Sequence, residues 1–233
     1  LSGQNTSSGG HVSLGERDAD HDGILSIFDP TPWPASSCPP GQYLFDLHCV
    51  DASPGYYVPY HGMTEQFLCP PGTYNPDTGQ SSCYDTTPGH YTDTEGNTDE
   101  NPCPAGTYQP DTGQLSCIDV ERGNYSVSGS AVQIVCPVGT YQPDTGQPSC
   151  LDADPGHYVS EEQQLDQTAC SPGTYQPVAG QSSCFSASEG NYAPGFGSAV
   201  QIPCPVGTYS PSTGRDSCLP ADPGYYIHKE MAT

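Results

Sequence analysis

Cys103-Pro-Ala-Gly-Thr-Tyr-Gln-Pro-Asp-Thr-Gly-Gln-Leu-Ser-Cys117 is the stretch that decides the fold. It returns at 136–150 as CPVGTYQPDTGQPSC, and in altered form at 69–83, 170–184 and 204–218. From Cys69 onward the cysteines alternate between steps of 14 and 20 residues, with a single 19 between Cys117 and Cys136. A repeat of about 34 residues means one small supersecondary unit copied in line, with no single large core.

Between the Cys-to-Cys segments lies a second half, such as Leu151-Asp-Ala-Asp-Pro-Gly-His-Tyr158 or Tyr84-Asp-Thr-Thr-Pro-Gly-His-Tyr91, followed by a variable stretch. Both halves share Gly-x-Tyr, ending at Tyr43, Tyr74, Tyr108, Tyr141, Tyr175 and Tyr209 in first halves. In second halves it ends at Tyr57, Tyr91, Tyr125, Tyr158, Tyr192 and Tyr226. The repeat is therefore itself a duplication, with a unit of about 17 residues. Glycine before x-Tyr permits positive φ or a close backbone approach. The tyrosine ring, stacked on a disulfide or proline with its hydroxyl wet, is the expected filling of each layer. Pro-Asp-Thr-Gly at 76–79, 110–113 and 143–146 is a turn signal. The expected fold is small, disulfide-rich and mostly β or irregular. It is an elongated tandem-repeat rod of short two-stranded ribbons, with almost no helix.

The repeat leaves two consistent ways to pair the cysteines. Pairing across the shorter step joins Cys38–Cys49, Cys69–Cys83, Cys103–Cys117, Cys136–Cys150, Cys170–Cys184 and Cys204–Cys218, and uses every cysteine. Pairing across the longer step leaves Cys38 and Cys218 free to join copies end to end. The first is favoured, since each closed loop of about 15 residues contributes on the order of 3 kcal/mol by chain entropy. Structural zinc needs close pairs such as C-x2-C, and the shortest gap here is 11 residues.

The composition fits such a scaffold. Hydrophobic residues are 33% of 233, and Gly and Pro number 27 and 26. With a formal charge of -23 and four basic residues, the chain would be expected to stay disordered without covalent staples. So acidic a surface repels nucleic acid and anionic lipid and attracts cations. No stretch reaches the roughly 18 apolar residues of a membrane span. Cysteine pairs at this density point to an extracellular, secreted or cell-surface location. Four segments follow: a polar arm at 1–17, an acidic loop and Pro-rich linker at 18–37, a capping repeat at 38–68, and tandem repeats at 69–233 with the last incomplete.

The motif C-P-x-G-T-Y-x-P-x-x-G-x-x-S-C resembles the ephrin-receptor-like cysteine-rich repeat and, more loosely, the one-disulfide submodule of tumour-necrosis-factor-receptor ectodomains. The resemblance covers 38–233. It departs from the family after the second cysteine, where another Cys-Pro is usual and Ile118-Asp119 or Leu151-Asp152 stands here. The resemblance implies extracellular, non-catalytic, elongated assemblies that mediate contacts.

Ahead of the array, Asp18-Ala-Asp20-His-Asp22-Gly23-Ile24-Leu-Ser26-Ile-Phe-Asp29 has the spacing of a calcium loop, with ligands from Asp18, Asp20, Asp22, the Ile24 carbonyl, Ser26 and Asp29. It resembles a thrombospondin type 3 or dockerin-like loop, and Ca2+ is the expected cofactor. Asp152, Asp154 and Asp222 are weaker candidates for further calcium and better ones for turn capping. Asn5-Thr-Ser7 and Asn124-Tyr-Ser126 match the N-glycosylation acceptor. No nucleophile elbow, phosphate loop or C-x-x-C redox motif is present, so the expected function is structural and non-catalytic. The array stops inside a second half, at Asp222-Pro-Gly-Tyr-Tyr226, and another copy's Cys38 cap is expected to continue it head to tail as a filament. A ligand-binding or adhesive ectodomain contacting other extracellular proteins or glycans is the alternative.

Overall fold

The computed structural model describes residues 38–224. Among them there is no helix, and 22 strands pair as eleven separate two-stranded antiparallel ribbons, each from strands adjacent in sequence. The residues divide into two compact units. One runs through Thr86 and also takes Thr92–Glu100 and Gly113–Leu115; the other takes Thr87–Tyr91, Asn101–Thr112 and the chain from Ser116 on.

The longest ribbon pairs β1 (Gln42–Phe45) with β2 (His48–Asp51), four residues a strand. Every other strand is two residues long, as in Thr73–Tyr74 against Tyr84–Asp85 in the first unit and Thr107–Tyr108 against Ile118–Asp119 in the second. Two features cut the strands short. The glycine before each strand turns the backbone into positive φ, and in first halves a proline comes two residues after the tyrosine and cannot donate to a ladder.

Counting from the glycine of each Gly-x-Tyr reveals where the core lies. Three residues before it stand Cys38, Cys69, Cys103, Cys136, Cys170 and Cys204 in first halves, and Ala52, Thr86, Val120, Ala153 and Ala187 in second halves, all fully buried. Three residues after it stand Val58, Asn75, Thr92, Gln109, Ser126, Gln142, Val159, Gln176, Ala193 and Ser210, again all buried. The tyrosines themselves, at Tyr43 through Tyr209, are only half-buried. This corrects the expectation that tyrosine fills each layer: the pleat turns the ring outward, and the following residue points in. The ring instead packs across its own ribbon, Tyr57 on Phe67 at 6.0 Å, Tyr74 on Tyr84 at 6.1 Å and Tyr175 on Phe185 at 6.0 Å between centroids.

Main-chain hydrogen bonds join successive layers in a fixed set of four. In the second unit, the Gly139 amide donates to the Val159 carbonyl at 2.8 Å and the Gln142 amide to that of Gln164 at 3.0 Å. The Ala153 amide donates to Gly139 and the Gln163 amide to Cys136, both at 2.9 Å. In the first unit the same four run Gly55 to Asn75, Val58 to Gln80, Cys69 to Gly55 and Gly79 to Ala52, at 2.8, 3.0, 2.9 and 2.8 Å. The glycine is required here on two counts. At Gly139 φ is +84°, and an added Cβ would overlap the carbonyl oxygen of Gly180, in the layer after next. Stability thus rests on the backbone ladder, at about 1 kcal/mol net per bond, and on covalent loops. The apolar core is confined to alanine, valine and half-cystine.

Candidate functional site

The cysteines take the shorter-step pairing. Cys38–Cys49, Cys69–Cys83, Cys103–Cys117, Cys136–Cys150, Cys170–Cys184 and Cys204–Cys218 are bonded, with Cα separations of 5.5–5.8 Å, and no described cysteine is free. The first member of each pair is buried between layers, while the second is half-buried or exposed. The disulfide therefore ties the turn carrying the second cysteine back onto the ladder.

Asp18, Asp20, Asp22, Ile24, Ser26, Asp29 and Asn5 lie outside the described residues, as does the stretch after Gly224. Among the described residues no group of three or more His, Cys, Asp or Glu is placed to hold a metal. Asp154 has a structural partner instead: its Oδ2 accepts a 2.7 Å bond from Gln167 Nε2. The Asp152 carboxylate lies beside Gly180, in the layer after next.

Asn124 also has a structural role. It is buried, and its Nδ2 donates to the carbonyls of Glu121 at 3.4 Å and Arg122 at 3.2 Å. Asn191, which is in no sequon, repeats this with Ser188 Oγ at 3.3 Å and the Glu189 carbonyl at 3.2 Å. The amide at this position closes the Gly-Asn-Tyr turn.

The exposed side chains are acidic and aromatic. Burial raises the Tyr74 phenol above the usual tyrosine range, and the negative charges of Glu100 and Asp99 and the nearby Tyr84 add to it. Burial acts likewise on Tyr141, followed by the charges of Asp154 and Asp166. Hollows open beside the ribbons of the described residues. In the second unit Tyr91, Pro104, Thr107, Ser116 and Cys117 surround about 210 Å³, with a tyrosine set against a proline and a disulfide.

The larger hollow belongs to the first unit. Tyr57, Pro59, Tyr60, Met63 and Phe67 line an open groove of about 380 Å³. The ribbon Tyr56–Tyr57 with Phe67–Leu68 supplies its floor, and the connection between those strands supplies Pro59, Tyr60 and Met63. That connection is pinned at both ends of its turn. The Leu44 amide donates to the Met63 carbonyl at 2.8 Å, and the Gly62 amide to that of Cys38 at 2.9 Å. Tyr60 stands 71% exposed. Equivalent connections carry Asp93-Thr-Glu95 or Glu161-Glu162, and the one after Tyr192 carries Pro194-Gly-Phe196 but has Gly195 and Ser198 at the places of Tyr60 and Met63. The run Val58-Pro-Tyr-His-Gly-Met63 held the signal, but variable stretches register only as variation unless their apolar density is weighed layer by layer. No family model and no curated protein matches the chain.

Proposed function

We propose that the chain is a non-catalytic, extracellular structural protein, the protomer of a cell-surface or secreted filament that assembles head to tail. The observation that carries this is the ladder between layers. Its four bonds are all main-chain, and one set of donors and acceptors serves layer after layer whatever the side chains are. Bonds indifferent to side-chain identity join a layer to a second copy as readily as to the next layer of the same copy. A contact of that kind is heterologous, and where it does not close it builds a filament.

Six disulfides support a place outside the cytosol. The ribbon-plus-disulfide repeat supports kinship with the ephrin-receptor-like and tumour-necrosis-factor-receptor-like modules. The Asp18–Asp29 loop would bind Ca2+ and stiffen the approach to the array. Negative-stain microscopy of the native protein tests assembly: polymers are expected, and cutting 1–17 or 226–233 should leave single particles. Filaments that survive both cuts reject the proposal. Calorimetric titration of the full chain tests the loop, and equal heats from it and from an Asp20→Asn, Asp22→Asn variant at millimolar Ca2+ would remove calcium from the account.

A further inference from the structure

We propose that the groove of Tyr57, Pro59, Tyr60, Met63 and Phe67 is the docking site for the chain's own proline-rich segment, Asp29-Pro-Thr-Pro-Trp-Pro34. The groove is an aromatic and proline surface with one thioether, and no charged side chain lines it. Aromatic-lined grooves of this kind take extended proline-rich strands, because a polyproline conformation has little entropy left to lose and presents flat ring faces. Residues 30–34, Pro-Thr-Pro-Trp-Pro, offer three prolines and an indole without a charge, a rare composition in a chain of net charge -23.

Connectivity selects this segment over any other occupant. Pro34 is four residues from Cys38, a reach of at most about 14 Å. Cys38 is itself bonded to the groove's own turn, through its carbonyl and the Gly62 amide at 2.9 Å. A tether this short holds the segment at an effective concentration in the millimolar range, so even a weak contact is filled. The Trp33 indole would lie against Tyr60, where an exposed ring can stack on it, with Met63 giving a sulfur–aromatic contact. The acidic loop that ends at Asp29 would then be held against the first layers.

Trp33 is the single tryptophan of the chain, so the fluorescence reports the surroundings of this one side chain. In the full-length protein the emission should be blue-shifted and poorly quenched by acrylamide. Tyr60→Ala with Met63→Ser should shift it to the red. If about three-quarters of the molecules are docked, undocking raises the quenchable fraction about fourfold. Phe196→Ala, an equally exposed aromatic elsewhere, should change nothing. Hydrogen-exchange protection kept at the Gly55 and Val58 amides shows that the variant still folds, since both altered side chains lie at the surface of the groove. Trp33 already fully quenchable in the native chain, or quenching unmoved by the double substitution, overturns the proposal. So does a blue shift that fades on dilution, which would assign the groove to the segment of a second copy.

Discussion

Gln142→Asn shortens a core side chain by one methylene, and the structure already contains the result of that change. Gln142 is buried, its Nε2 donating to the Ser149 carbonyl at 2.8 Å while its Oε1 accepts from the Asp144 amide at 3.1 Å. Gln109 and Gln176 close the same circuit, with Ser116 and Asp111 and with Ser183 and Val178. Asn75 occupies the equivalent place one methylene short. Its Nδ2 bonds the carbonyl of Tyr56 at 2.8 Å and strains to that of Ser82 at 3.4 Å, and its buried Oδ1 has no partner. A buried acceptor left without a donor costs about 1–3 kcal/mol, and the missing methylene about 0.8 kcal/mol more. Gln142→Asn should therefore lose about 2–4 kcal/mol. The reciprocal Asn75→Gln regains the acceptor's share, less the strain of inserting a methylene, for a net gain of about 1 kcal/mol. Guanidinium titration with disulfides intact, followed by tyrosine near-ultraviolet circular dichroism, reads both as midpoint shifts at constant slope. Hydrogen exchange at the Asp144 amide reads the first locally. If Gln142→Asn changes stability by less than about 0.5 kcal/mol, the range of an ordinary surface substitution, or leaves that amide as protected as before, the amide circuit is not what holds the layer.

Three further outcomes follow from the same geometry. Gly139→Ala meets the Gly180 carbonyl and a φ of +84°, and should lose about 3–4 kcal/mol from left-handed strain and two broken ladder bonds, whereas Gly195→Ala, with nothing within 4 Å, should be neutral in the same titration; equal effects would refute the layer contact. Gln163 holds φ +61° where the other layers place glycine, so Gln163→Gly should raise the midpoint by about 0.5–1 kcal/mol after the entropy of glycine is deducted, and a loss of stability would show that its side chain does something the backbone does not. Tyr74 and Tyr141 hold their protons more tightly folded than unfolded, so the folded state carries the excess of protons above pH 10. Stability is then constant below the ordinary tyrosine range and falls as pH rises through it, which denaturant midpoints paired with tyrosinate absorbance will show; a rise would reverse the assigned sign.

Much of this was legible in the sequence, because cysteine and glycine act through covalent and dihedral constraints that one residue declares by itself. The steps of 14 gave the disulfide pairing, and Gly-x-Tyr every 17 residues marked the layers. The filling was misjudged for a physical reason. Size and apolarity favour Tyr141 over Gln142 as core, yet in a strand two residues long the pleat decides, and it turns position Gln142 inward. The polar identity of that position is intelligible only once the Asp144 amide and the Ser149 carbonyl are seen converging on it. At Asn124 the sequence shows the acceptor pattern Asn-x-Ser, and only the structure shows the amide engaged with the Glu121 and Arg122 carbonyls.

Because ladder and disulfides hold the layers, the remaining side chains are released from packing. That freedom explains how 27 acidic residues against four basic ones coexist with a folded chain. Some of the charges sit in the connections after the inward residue, as at Asp93, Glu95, Glu161 and Glu162, where they face water and burial makes no demand on them. The same freedom makes an exception informative. A connection that could have been acidic at no structural cost instead carries Pro59, Tyr60 and Met63, and leaves Tyr60 largely in water. Exposed apolar area is unfavourable for a solitary layer and becomes favourable when something covers it. In a scaffold whose fold does not depend on these side chains, an aromatic groove beside an uncharged proline-rich tether is better explained by their meeting than by any requirement of the layers themselves.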